Sequence, residues 1–167
     1  MAGLREALAA AGLTGPDGGA VKTYLQSGNV VLESSLEADA LADAVRSLVA
    51  EQFDVTAPTV ARSAAALREL VNGNPFPEHA AENPKYLQVS FLSEPISDGG
   101  RELVAQRTEM GEDVAVADSA LEVYAWHPKG IHESKLAAQL SDKKLGVRVA
   151  TARNWSTVLA CLELLED

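Results

Sequence analysis

Basic residues are concentrated near the C-terminal end of an otherwise acidic chain. The sequence of 167 residues has a formal net charge of −10, whereas the segment 129–153 contains six basic and only two acidic residues. The basic residues are Lys129, Lys135, Lys143, Lys144, Arg148 and Arg153. Because clustered cations attract small anions, we expect any carboxylate or phosphate ligand to bind in this segment.

Arg153 and Asn154 stand just before the helical pattern of the last residues, "WSTVLACLELL". This position predicts Arg153 at a helix N-terminus, where free N–H groups and the helix dipole favour an anion. Asn154 is a favoured N-cap residue and could also offer its amide to a ligand. Ser134 and Lys135 would contribute if the fold brings them near. The alternative is that Asn154 only caps the helix and Arg153 pairs with a local acid.

Ser27, Gly28 and Asn29 form a second candidate ligand-binding element. They lie between the β-rich runs "AVKTYLQ" and "VVLES", and the glycine would permit a close approach of a ligand to the backbone. Such a triplet more often simply turns a β-hairpin.

The sequence contains no combination of nucleophile, base and orienting group that we can assign together, so the catalytic residues and even enzymatic activity are left open. The histidines are His79, His127 and His132, and their spacing is not that of a zinc site. No phosphate-binding or dinucleotide-binding glycine motif is present. We therefore expect no metal and no cofactor.

The bulk composition narrows the class of protein. The net negative charge argues against nucleic acid and anionic membranes as partners. The single cysteine cannot form an intrachain disulfide, and no apolar run is long enough to cross a membrane, which favours a cytoplasmic protein. An apolar stripe on the last helix is expected to be core or a homodimer face. It consists of Trp155, Val158, Leu159, Leu162 and Leu165.

The order of predicted elements indicates an α+β fold with two related units. Residues 85–167 predict strand, helix, strand, strand, helix, strand and helix, with a short helix over "HESKLAAQL" and a strand over "VRVAT". Residues 1–72 predict helix, strand, strand, helix and an edge strand, "TAPTVAR", followed by a short helix. The two patterns match as ferredoxin-like split β-α-β units if the first has lost its N-terminal, central strand. Residues 73–84, rich in Pro and Asn, are the expected linker.

Four motifs in this order resemble those of a bacterial domain-of-unknown-function family, number 1697. They are "TYLQSGNVVLES", "NPFP", "GIHESKL" and "ATARNWSTV". The resemblance implies two related α+β units and a preceding apolar strand with a Gly-rich loop, so that Met1 would correspond to an internal methionine. It implies no activity. The sequence therefore leaves three hypotheses: a binding module for a small anionic ligand, an enzyme acting on such a ligand, and a self-association module.

Overall fold

The computed structural model describes residues 1–25 and 28–166, and it has the α+β fold expected from the sequence. The helices are α1 (Ala2–Ala10), α2 (Ala38–Phe53), α3 (Ala64–Asn72), α4 (Pro77–Glu82), α5 (Asp98–Glu109), α6 (Asp142–Leu145) and α7 (Trp155–Glu166). The strands are β1 (Lys22–Tyr24), β2 (Asn29–Val31), β3 (Leu87–Leu92), β4 (Val114–Val116), β5 (Glu122–Trp126) and β6 (Ala150–Asn154). Over these residues, no helix combines the length and apolar character that crossing a bilayer demands.

By its internal contacts the chain divides into two units. Unit 1 contains Met1–Arg68 together with the residues from Thr157 onward, and unit 2 contains Glu69–Ser156. The segment predicted as a linker, 73–84, includes the helix α4. The sequence-based division into domains 1–72 and 85–167 stays a prediction.

Unit 1 is built around the antiparallel pair β1–β2, in which Lys22 is opposite Val31 and Tyr24 is opposite Asn29. Val31 alternates inward and is buried, as is Leu8 on the inner face of α1. α7 is attached here by polar contacts. Lys22 Nζ donates to Leu164 O at 3.2 Å, and Arg68 Nε lies 3.2 Å from Glu166 Oε1.

The prediction of a strand over residues 56–62 is wrong. This segment is irregular and connects α2 to α3. Pro58 removes one backbone donor, and no strand in the described part of the chain pairs with the segment, so its β-branched residues have no ladder to join. The strand expected before Met1 stays a prediction.

Unit 2 contains a four-stranded antiparallel sheet in the order β4-β5-β3-β6. β3 lies between β5 and β6, which is the position that a split β-α-β arrangement gives to its first strand. The alternation in "LQVSFL" explains its central place, because Leu87 and Val89 are completely buried on one face. On the other face, Leu92, Val123 and Ala125 join the core formed with α5.

Two elements of unit 2 differ from their predictions. "HESKLAAQL" forms two short 3-10 turns, Ile131–Glu133 and Ala137–Gln139, rather than one helix. The strand predicted over 147–151 is shifted, since β6 runs from Ala150 to Asn154 in register with β3. The hydrogen bonds to the central strand β3 determine the bounds of β6, and local strand propensity does not predict them.

Candidate functional site

A tight turn after β5 positions the first residue of the candidate site, His127. Its backbone N–H donates to Tyr86 O at 3.0 Å, and its carbonyl accepts the Gly130 N–H at 2.8 Å. Pro128 suits the second position of such a turn, and Gly130 adopts a φ of 84° that other residues rarely tolerate. The imidazole is thereby fixed beneath the end of the sheet, with only 1% of the residue exposed.

Ser134 follows the first 3-10 turn and is held by its own backbone contacts. Its N–H donates to Ile131 O at 3.2 Å, and its Oγ accepts the N–H of Ala137 at 3.1 Å. The hydroxyl oxygen is therefore anchored on one side by a backbone donor, and its proton is available for a second partner.

That partner is His127. Ser134 Oγ lies 2.7 Å from His127 Nδ1, and His127 Nε2 lies 3.3 Å from Gln88 Oε1 on β3. An amide oxygen can only accept, so Nε2 carries the ring proton and Nδ1 presents its lone pair. The Ser134 hydroxyl then donates to Nδ1. Burial lowers the pKa of His127, which keeps the imidazole neutral at pH 7.

An open cleft of about 220 Å³ lies over this pair. It is lined by Gly111, Glu112, Asp113, Trp126, His127, Pro128, Lys129, Gly130, Glu133, Ser134, Lys135 and Leu136. The volume is below the roughly 300–1,000 Å³ of sites for drug-sized ligands, so the cleft suits a small molecule.

Two acidic side chains that line the cleft have basic neighbours. Glu112 Oε2 lies 3.6 Å from Arg107 Nη1, and Asp113 Oδ2 lies 2.9 Å from His79 Nε2. The imidazole of His79 also stacks on Trp126, with ring centroids 4.4 Å apart and planes 5° from parallel. The same imidazole therefore contacts both Asp113 and Trp126.

The cleft is also lined by Lys129, Lys135 and Glu133. Among the residues that the structure describes, neither ammonium group has an ion-pair or hydrogen-bond partner. Two ammonium groups without a partner are therefore donors for an anion in this part of the cleft.

Of the residues nominated from the sequence, the structure brings Ser134 and Lys135 together in the cleft. Arg153 is not at a helix N-terminus, because it belongs to β6 opposite Val89. Its Nη1 donates to Thr151 Oγ1 and Ala152 O, both at 2.8 Å. Since Val89 is on the sheet face opposite that of Gln88, Arg153 points away from His127.

Asn154 is the last residue of β6 and lies directly before α7. It is in register with Gln88, so its side chain is on the same sheet face as the partner of His127. Its Oδ1 accepts a hydrogen bond from Ser156 Oγ at 2.8 Å, and it does not line the cleft.

The second candidate element belongs to unit 1. Gly28 has a φ of 86°, and the buried Asn29 donates from Nδ2 to Tyr24 O at 2.9 Å across the hairpin. The geometry of the hairpin turn therefore explains why Gly28 and Asn29 occupy these positions. Ser27 lies outside the described residues.

Neither His127 nor Gln88 is predicted as a site residue from the sequence. The spacing of His127 argues only against a zinc site, and Gln88 is one polar residue in a predicted strand. The available signal was weak: a histidine at the end of a strand, followed by Pro128 and Gly130 and, seven residues on, by Ser134. Over residues 1–25 and 28–166, no cluster of three or more His, Cys, Asp or Glu side chains could hold a metal ion.

The model of the family described as "Protein of unknown function (DUF1697)" matches residues 1–121, so the chain belongs to that family. The match ends before "GIHESKL" and "ATARNWSTV", two of the four motifs on which the resemblance was based.

A solved structure supports the fold over nearly the whole chain. The conserved bacterial protein SP0830 from Streptococcus pneumoniae is similar with a TM-score of 0.64 and 16% sequence identity, over 99% of this chain and 88% of that one. At this identity the likeness concerns the fold alone. No curated protein matches the sequence.

Proposed function

We infer that this protein is a cytoplasmic binding protein for a small carboxylate- or phosphate-bearing molecule, which it holds in the cleft over His127 and Ser134. The observation that supports this function is the convergence of Ser134, Lys129 and Lys135 on one cleft. The two ammonium groups are donors that an anionic oxygen accepts, and charge assistance makes such hydrogen bonds stronger than neutral ones.

The apolar part of the ligand would contact Leu136, which lines the same cleft and is buried. A concave site with apolar walls and a few convergent polar groups is the usual arrangement for small-molecule binding. The ligand must be small, because the cleft has a volume of only about 220 Å³.

Thermal unfolding in the presence of inorganic phosphate or acetate, at constant ionic strength, tests this proposal. At a ligand concentration ~100-fold above Kd, stabilisation of about 2.7 kcal/mol raises the melting temperature by roughly 5 °C or more. Lys135→Ala should weaken binding about tenfold, the equivalent of ~1.4 kcal/mol.

Lys143→Ala is the matched control, because it removes the same charge from the same basic segment but not from the cleft. Arg153→Ala separates this proposal from the sequence-based one, which expects the ligand at Arg153. We expect Arg153→Ala to keep the shift. Loss of the shift in Arg153→Ala with full retention in Lys135→Ala would contradict the proposal.

A further inference from the structure

The contacts of Ser134 resemble those of an activated nucleophile more than those of a simple ligand donor. Its hydroxyl proton is directed at the free lone pair of a neutral imidazole 2.7 Å away, and that imidazole is oriented by a third group, Gln88. A base within hydrogen-bond reach of the hydroxyl, itself oriented by a neighbour, is the arrangement that activates serine nucleophiles. A serine whose only role was to accept the Ala137 N–H would not need a histidine within hydrogen-bond distance.

We propose that Ser134 is a catalytic nucleophile, with His127 as its general base, for hydrolysis of a small acyl ester that carries an anionic group. The proposal rests on the function inferred above, because Lys129 and Lys135 would hold the anionic end. Ser134 is partly exposed and lines the cleft, so a bound ester can reach it, and the buried His127 lines the same cleft.

The reaction proceeds in two balanced halves. Ser134 Oγ forms a bond to the acyl carbon while its proton passes to His127 Nδ1. The carbon–oxygen bond to the leaving group then breaks, and the departing alkoxide takes the proton from Nδ1 as an alcohol. Water next gives a proton to Nδ1 and its hydroxyl to the acyl carbon, and Ser134 recovers the proton as the carboxylic acid is released.

Donors for the negative charge that develops on the acyl oxygen are available beside the nucleophile. In the described part of the chain, the backbone N–H groups of Lys135 and Leu136 donate to no acceptor. Backbone N–H groups next to a nucleophile are the usual donors to such an oxyanion. They supplement the geometry of Ser134 and His127, which carries the proposal.

A small dialkyl fluorophosphate is the most direct probe, because it reacts with an activated serine and leaves a permanent mark. Ser134 Oγ would form a bond to phosphorus, fluoride would leave, and the serine proton would pass through His127 Nδ1 to solvent. We expect mass spectrometry of the intact, folded protein to show one adduct, and peptide mapping to assign it to Ser134.

Ser134→Ala should abolish the adduct, while Ser141→Ala, which alters an exposed serine outside the cleft, should not. His127→Gln should slow labelling on the order of a hundredfold. If that variant does not fold, Ser134→Cys provides an alternative, because its thiol should alkylate with iodoacetamide much faster than Cys161.

Failure of this proposal is distinguishable from failure of the binding function. Anion-dependent stabilisation that requires Lys135, combined with no adduct or with an adduct elsewhere, would overturn the nucleophile and leave a binding protein. An adduct at Ser134 without any anion-dependent stabilisation would overturn the anionic ligand and retain the nucleophile. A Ser134→Cys thiol no more reactive than Cys161 would also overturn the role of His127.

Discussion

His127 Nε2 donates to Gln88 Oε1 over 3.3 Å, and this contact connects the turn after β5 to the central strand β3. Gln88 is held in place by its register with Ala125 on one side and Asn154 on the other. The strand pairing of unit 2 therefore positions the acceptor that fixes the tautomer of the histidine. This tautomer leaves Nδ1, the nitrogen that faces Ser134, as a hydrogen-bond acceptor.

Gln88→Leu should destabilise the protein because it leaves the Nε2–H of a buried imidazole without an acceptor. We expect the free energy of unfolding to fall by about 1–3 kcal/mol in urea denaturation. Gln106→Leu, an equivalent change on the exposed face of α5, should stay within ~0.5 kcal/mol of the parent. Equal effects of the two substitutions would show that the Gln88 contact contributes nothing.

Protein stability should depend on the protonation of His127. Because burial lowers its pKa in the folded state, the unfolded chain binds the proton more readily. The stabilising contribution is fully present above about pH 6.5, the unfolded value, and is lost as the pH falls through the folded value. Measurements of unfolding free energy below pH 6.5 should show this slope.

His127→Gln should remove that part of the slope, whereas His132→Gln, at an exposed position, should retain it. The charged groups that line the same cleft are Glu112, Asp113, Glu133, Lys129 and Lys135. They remain in both variants, so a slope that persists unchanged in His127→Gln would assign it to them.

Gly146 is required for the packing of α6 against the start of α5. It ends α6 with a φ of 70°, and a Cβ placed there would collide with Ser97 Oγ. That oxygen caps α5 by accepting from the Gly100 N–H, and the hydroxyl donates to Leu145 O. Gly146→Ala should therefore cost at least ~2 kcal/mol, combining left-handed strain with loss of the cap.

Gly99→Ala is the matched control for Gly146→Ala. It lies in α5 with open space around a new Cβ, and alanine is the better helix former by roughly 0.5–1 kcal/mol. In urea denaturation, we expect Gly146→Ala to lower the free energy of unfolding and Gly99→Ala to raise it. A neutral Gly146→Ala variant would contradict the close contact with Ser97.

Tyr124 should be the tyrosine that resists ionisation in the folded protein. Burial, assisted by the nearby charges of Glu122 and Asp118, raises its pKa well above the ordinary value, and its hydroxyl donates to Leu70 O at 2.7 Å. Tyr124→Phe should cost about 1–2 kcal/mol, because the buried carbonyl loses its donor.

Tyr86→Phe is the comparison for Tyr124→Phe, since the Tyr86 hydroxyl has no hydrogen bond within the described part of the chain. An ultraviolet titration should show the signal of the late-ionising tyrosine disappear only in Tyr124→Phe. Its disappearance in Tyr86→Phe instead would show that the assignment is wrong.

Local sequence patterns predicted those elements that can be recognised without knowing which other elements pack against them. The alternation of "KYLQVSFL" places β3 at Leu87–Leu92, and the helical spacing in the last residues identifies α7, because a continuous apolar face must be buried in either case. The positive charge of the segment 129–153 also led to the prediction of Ser134 and Lys135, two residues of the cleft. The α+β class followed from the order of these elements.

The amino-acid sequence by itself determined the membership of the family, the class of the fold and the positive charge near residues 129–153, since these depend on composition and local periodicity. Only the tertiary structure decided that Arg153 is in a strand, that residues 56–62 are not, and that Ser134 meets His127. The physical reason is that a strand is completed by hydrogen bonds to a partner, and a site by side chains that a turn brings together. Residues adjacent in the chain specify neither the partner strand nor the side chains that complete the site.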